Sequence, residues 1–280
     1  MPITIEIIKI VREKTKAGML HCKKALEKTN GNIEQAIQLL TKENINKTIQ
    51  NDKIPSEGLT NVSICNNKAF LFELNTETDF VAKNDLFLQL YNKLSEILSK
   101  TDDSVQNIND FLNFKIENKN VQELILETSA ILKEKIILNR LKIVKKNPQE
   151  SFGYYKHQGG KISALVVLSK SCPEVKMNLP VHIVGFNPKF ISKEQVDPEF
   201  LTLQKEILFN KTRQETKNKK SLSEKMINQI VNQRLDKILE NICLLEQKLY
   251  CNLEQTIKEY LNQYKIEIRS FYRFELGEKN

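Results

Sequence analysis

Residues 1–45 repeat apolar positions at the three- and four-residue steps of an α-helix, in three short runs. Ile3, Ile7 and Ile10 form the first, Cys22, Ala25 and Leu26 the second, and Ile33, Ala36, Ile37 and Leu40 the third. Ala17-Gly18 and Asn30-Gly31 separate them. Glycine suits the left-handed residue just past a helix end, and Asn32 is placed to cap the helix that follows. The pattern predicts a compact three-helix bundle over 1–45. Residues 46–58 are polar, contain Pro55 and Gly58, and read as a linker.

Beyond the linker the period changes. Leu59 to Cys65 and Ala69 to Asn75 are strand-like runs about Asn66-Asn67, which predicts a hairpin. An amphipathic helix follows from Thr78 through Lys100, with Phe87, Leu90, Tyr91, Leu94, Ile97 and Leu98 as its apolar stripe. Helical segments near 104–113 and 120–134 precede a β-branched run, Lys135 to Val144. A second strand pair, Phe152 to His157 and Lys161 to Leu168, turns through Gln158-Gly159-Gly160, and a helix covers about 173–186. Ile266 to Leu276 alternates as a closing strand with Ile266, Ile268, Ser270, Tyr272 and Phe274 on one face. Residues 59–186 and 248–280 therefore read as an α+β core in two parts with antiparallel sheet. Between them, 187–247 is helical. Ile207 and Leu208 precede a charged stretch, and Met226, Ile230, Leu235, Ile238 and Ile242 follow it, as in an inserted antiparallel helical hairpin with Lys211–Lys220 near its tip.

Composition narrows the function classes. The chain has 280 residues, 40% hydrophobic and 28% charged, which fits a soluble globular protein with a real core. No run of about eighteen apolar residues occurs, so no membrane span is expected. The N-terminus carries charges among its apolar positions and has no cleavage pattern, so the expected location is the cytoplasm. Cys22, Cys65, Cys172, Cys243 and Cys251 are scattered and odd in number, which predicts reduced, mostly buried thiols. His21, His157 and His182 lie far apart with no ligand spacing, so neither a metal site nor a cofactor is expected. The scattered His and Cys also offer no convergent acid, base and nucleophile, so no enzyme is expected. The net charge of +8 raises a basic RNA- or ribosome-associated protein as the alternative reading. Against it, acids are mixed with the basic residues, and Lys211–Lys220 lacks the aromatics that stack bases; it reads as a solvated turn with no direct nucleic-acid contact.

The stretch Thr76 to Asp85 (TETDFVAKND) holds the candidate chemistry. Thr78 is a good N-cap, and Asp79 then sits where the positive helix end favours an anion. Phe80 shares a helical row with Phe87 and Leu94, as a core residue would. The same extension places Lys83 and Asn84 on the row of Leu90 and Tyr91, which breaks the stripe and points the ring outward. Periodicity supports both placements. Met19 and Leu20 are likewise readable as bundle core or as an exposed corner with Arg12, and His157 reads as a surface histidine.

TDFVAKND resembles the central signature of bacterial elongation factor Ts, the nucleotide exchange factor of elongation factor Tu. VREKTKAGMLHCKKALEKTNGNIEQAI (residues 11–37) is similar to that family's N-terminal signature. KHQGGKISALVVL (156–168), NPKFI (187–191), ENICLLEQ (240–247) and FYRFELGE (271–278) follow in the family's order. Lys16, His21, Lys161 and Lys248-Leu249 depart from its usual residues. Many members also continue past the Gly-Glu pair with a further helix, whereas this chain ends at Asn280. The resemblance implies a ubiquitin-associated-like N-terminal bundle and a partner, elongation factor Tu in its GDP- or GTP-bound form. It implies that Thr78, Asp79, Phe80 and Val81 disturb the partner's Mg²⁺ site, with Arg12, Met19, Leu20 and His157 as secondary contacts. It leaves a homodimer through the helical hairpin open.

Overall fold

The computed structural model describes residues 3–15, 17–49, 55–216 and 223–278. Lys16, residues 50–54 of the segment read as a linker (46–58), and the Lys217–Lys220 end of the basic cluster lie outside the described residues. Of the rest of that segment, 46–49 continue a helix and 57–58 open a strand. The chain is α+β, with helices packed on antiparallel sheet. It divides into two compact units. The first comprises 1–145, 156–163 and 274–280, and the second 146–155 and 164–273.

The first unit opens with α1 (Ile5–Thr15), α2 (Met19–Lys28) and α3 (Ile33–Ile49). Their core is Ile8, Val11, Ala17, Cys22, Ala25, Leu26, Ala36 and Leu40. The second and third predicted stripes face inward. The first is shifted: Ile8 and Val11 are buried, Ile3 and Ile7 pack at the margin, and Ile10 is exposed. Ile3 to Val11 is apolar at most positions, so its own sequence permits two faces. The face taken ends on Thr15, whose hydroxyl donates to Val11 O (2.8 Å) and accepts from Ala17 N (3.3 Å), turning the chain into α2. The second break runs as expected, with Asn30 and Gly31 at positive φ (51° and 82°) and Asn32 Oδ1 accepting from Gln35 N at 3.0 Å.

β1 (Glu57–Cys65) and β2 (Lys68–Thr76) form the hairpin about Asn66-Asn67, with Asn66 at φ 54°. Next come α4 (Asp79–Ala82) and α5 (Asp85–Lys100). The helix expected from Thr78 to Lys100 is thus two helices. Asn84 takes an extended conformation and its side chain accepts from Leu86 N, which restarts the helix as a fresh N-cap. The six stripe residues of α5 are its six buried residues. α6 (Ile108–Asn113), a short ribbon of β3 (Lys115–Ile116) and β4 (Lys119–Asn120), and α7 (Val121–Leu132) lead into β5 (Ile137–Lys145). β5 pairs antiparallel with β2, giving the order β1-β2-β5. Phe70, Phe72 and Leu74 of β2 join the α5 stripe, Phe111, Val121 and Ile125 in the main core. The bundle joins this unit by packing α3 and α1 on α7.

A buried ion pair ties this sheet to the end of the chain. Glu73 and Arg140 face each other across β2 and β5, and Arg140 Nε donates to Glu73 Oε2 at 2.6 Å. Arg140 also donates to Glu275 O (2.7 Å) and stacks on the Phe274 ring (4.3 Å), while Gly277 N donates to Glu73 Oε1 (2.9 Å). The carboxylate and the guanidinium are desolvated together and their remaining hydrogen-bonding atoms find backbone and side-chain partners, as such a burial requires.

The second unit holds most of a sheet in the order β10-β7-β6, formed by β6 (Ser151–His157), β7 (Ile162–Leu168) and β10 (Ile268–Glu275). β10 is half-covered on both faces, rather than alternating as its sequence suggests. α8 (Pro173–Phe186) begins with its proline in the first turn, where no N–H is needed. α9 (Pro198–Thr216) and α10 (Glu224–Ile242) pack together, and Arg234 of α10 reaches Thr212 (3.0 Å) and Glu215 (2.7 Å) of α9. Their buried seam is Leu208, Val231, Leu235 and Leu239, while Ile207 and Met226 of the expected stripe are exposed. β8 (Lys248–Leu249), β9 (Asn252–Thr256) and α11 (Ile257–Tyr264) complete the unit. The thiols are all free, but only Cys22 and Cys243 are buried, and Cys251 is exposed, so the expectation of mostly buried cysteines is not met. Among the described residues no helix is long and apolar enough to cross a membrane, and no His, Cys, Asp and Glu side chains group as metal ligands.

Candidate partner-docking turn

β2 ends on buried Thr76, and the chain turns through Thr78 into α4. Thr78 is extended (φ −124°, ψ 154°) and its hydroxyl accepts from Val81 N at 3.3 Å, the cap its sequence position predicts. α4 is only one turn long, so its stability comes from what it packs on rather than from propensity. Ala82 is buried and Val81 packs against the main core, which seats one side of the turn. Phe80 lies on the other side and is 81% exposed. The structure therefore decides between the two placements of the ring: it stands in solvent.

Asp79 is bonded to Lys83 Nζ at 2.7 Å, one turn on. That hydrogen bond, with the attraction of the same ammonium and of Lys161, holds the Asp79 carboxyl below the usual aspartate range. Lys83 is raised in turn, mainly by Asp79 and to a smaller extent by Glu57. Lys161 itself pairs with Glu57 at 3.1 Å, so two acids and two bases of alternating sign surround the turn.

Lys161 comes from the β6–β7 turn, which also carries His157. The His157 carbonyl accepts from Gly160 N (3.0 Å) and Lys161 N (3.1 Å). Gly160 O in turn accepts from Thr60 N (2.6 Å) and Thr60 Oγ1 (2.8 Å), fastening the turn to β1. Gly160 adopts φ +108°, and a Cβ there would lie 2.8 Å from Thr60 O, so the close approach requires glycine. His157 is half-buried at the end of β6. Arg12, Met19 (47%) and Leu20 (63%) are exposed, which places Met19 and Leu20 outside the bundle core. They stand at the α1–α2 corner, on a bundle carried by α7, whereas α4 is carried by β1, β2 and α5.

One residue of this site has no signal in its own stretch of sequence. Glu134, between α7 and β5, accepts from Thr76 Oγ1 (3.0 Å), Thr78 N (3.0 Å) and Thr78 Oγ1 (2.6 Å). Only the β2–β5 pairing, which sets Asn75 opposite Ile137, brings it there.

The turn thus holds an ionised acid and an exposed ring on a frame seated in the core. The family described as Elongation factor TS matches residues 77–278. The chain is 45% identical to "Elongation factor Ts" of Aster yellows witches'-broom phytoplasma (strain AYWB), over 99% of this chain and 100% of that one. It is 44% identical to the protein of the same name from Phytoplasma australiense, over 99% of each chain. It is 41% identical to that of Acholeplasma laidlawii (strain PG-8A), over 99% of this chain and 94% of that one. From the motifs, the fold and this full-length similarity, the chain belongs to the elongation factor Ts family of translation elongation factors.

Proposed function

We propose that the chain binds elongation factor Tu·GDP and accelerates release of the nucleotide. The observation that carries the proposal is Phe80, 81% exposed on a turn whose other side is seated in the core. An exposed aromatic on a fixed turn loses little conformational entropy when it enters a pocket, which is the economy of an interface anchor. In this reading Phe80 wedges between helices of the partner's GTP-binding domain. Asp79, already ionised and aimed by Lys83, perturbs the groups that hold Mg²⁺ and phosphate. Mg²⁺ bridges protein and phosphate oxygens, so loss of its support weakens GDP. Thr78 and Val81 hold the turn. Arg12, Met19 and Leu20 on the 1–45 bundle, with His157, supply secondary contacts. The α+β segments 59–186 and 248–280 present the turn, and the 187–247 hairpin is the segment through which copies would associate. The chain makes and breaks no covalent bond, needs no cofactor of its own and acts in the cytoplasm.

Linkage supplies the test. If the chain lowers GDP affinity by some factor, GDP lowers the chain's affinity for elongation factor Tu by the same factor. Calorimetric titration of the chain into nucleotide-free elongation factor Tu should give tighter binding than titration into the GDP complex. Equal affinities would refute the proposal.

A further inference from the structure

We propose that Glu134 is a positioning residue for exchange, acting through the Thr78 cap on Phe80 and Asp79; the inference rests on the exchange reading above. One carboxylate takes three hydrogen bonds from the end of β2 and the start of α4. Thr76 Oγ1 and Thr78 N share Oε2, and Thr78 Oγ1 takes Oε1. The Thr78 hydroxyl has one proton. With that proton on Glu134, a lone pair is left facing Val81 N, which it accepts. Glu134 thus fixes the hydroxyl rotor that caps α4, in addition to the backbone at the Thr78 peptide.

Glu134 is itself held. α7 ends on Lys133 in the left-handed conformation (φ 61°), which turns the chain sharply and sets the next residue toward Thr78. Buried Ser129 donates its hydroxyl to Glu134 O at 2.5 Å and accepts from Ile136 N at 3.3 Å, closing the loop from the far side. The support therefore runs from a buried serine through Glu134 to Thr78 and the first turn of α4. This matters because Phe80 has little packing of its own. An 81% exposed ring inherits its position from its backbone, and a one-turn helix without its cap frays. Charge-assisted hydrogen bonds to a carboxylate are the stronger kind, so the contacts suit a support that must survive docking.

The test compares wild type, Glu134→Ala, Glu134→Gln and Thr78→Val. Each is tested for stimulation of release of a fluorescent GDP analogue from elongation factor Tu, with thermal unfolding and amide hydrogen exchange of the same samples. Glu134→Ala is expected to lower stimulated release roughly five- to thirtyfold, the equilibrium factor of a lost N-cap. Thr78→Val, which keeps the carboxylate and removes the hydroxyl, should lose a similar factor. Glu134→Gln should recover part of it, because one amide oxygen can still accept from Thr76 and Thr78 N. In a Phe80→Ala background Glu134→Ala should cost much less than in wild type, since both changes remove one function. The Thr78 and Val81 amides should exchange faster in Glu134→Ala while those of Leu71 and Phe72 keep their protection. Independent, multiplicative losses, or unchanged release with unchanged Val81 exchange, would overturn the positioning role while wild-type stimulation stands. A wild-type chain that does not stimulate release would instead overturn the exchange reading and this role with it. The hydrogen-exchange comparison would then still report whether Glu134 orders the turn.

Discussion

Phe80→Ala separates the two roles a phenylalanine can have here, and the structure sets the size of each outcome. The ring is 81% exposed, so folding covers about a fifth of it. A Phe side chain offers roughly 200 Å², and burial is worth about 25 cal/mol per Å², so the covered part contributes about 1 kcal/mol. Alanine returns about 0.5 kcal/mol through its better helix propensity. The net change is therefore about 0.5 kcal/mol, or a fall in Tm of roughly 1–2 °C for a chain of this size. A core phenylalanine would cost about 3–5 kcal/mol and lower Tm by roughly 6–20 °C. In the docking role the same deletion removes an interface anchor worth about 2 kcal/mol or more, about thirtyfold or more in stimulated exchange. Stopped-flow release of a fluorescent GDP analogue reads the second quantity, and differential scanning calorimetry reads the first. A Tm drop above about 6 °C, or exchange within twofold of wild type, would refute the reasoning.

Three further outcomes follow from other parts of the molecule. Glu73→Ala removes the fully buried carboxylate that pairs with Arg140, whose side chain is 10% exposed, and leaves the guanidinium its longer contact with Glu278 at 3.9 Å. Breaking a buried pair should cost about 3 kcal/mol and lower Tm far more than Phe80→Ala. Lys83→Met should raise the Asp79 titration midpoint toward the ordinary aspartate range by carboxyl NMR, because Lys83 is the main cause of its lowering. In wild type the Asp79–Lys83 pair is complete above the ordinary aspartate range and is lost as pH falls through the lowered value; added salt should weaken it. His182 is buried, bonded to Gln247 at 2.9 Å, and burial lowers its pKa. The unfolded chain then binds a proton more readily than the folded one. Stability should fall as pH drops below about 6.5 toward the folded value, and His182→Gln should flatten that part of a Tm-against-pH curve.

Local patterns proved readable where one face of an element dominates its sequence. The α5 stripe, the Thr78 cap, the Asn66-Asn67 hairpin and the Asn30-Gly31 break are each set within a few residues, and each forms as read. The first stripe reads as Ile3, Ile7 and Ile10, but isoleucines occupy both candidate faces of α1, and the packed bundle selects Ile8 over Ile10. The break before α5 has a local sign, Asn84-Asp85 ahead of an apolar run, but Phe80 falls on the row of Phe87 and Leu94, so the two helices read as one. Phe80 stayed undecided because a one-turn helix has too few positions to define a face. Glu134 and the Glu73–Arg140 pair had no local sign at all. Their partners lie 56 and 67 residues away, and the β2–β5 register brings them together.

The central claim, that the chain opens the nucleotide site of elongation factor Tu, is tested most directly by the release rate of a fluorescent GDP analogue from that protein. The rate should rise with the concentration of this chain and saturate, and excess GTP should then dissociate the complex. A release rate independent of the chain's concentration would contradict the account.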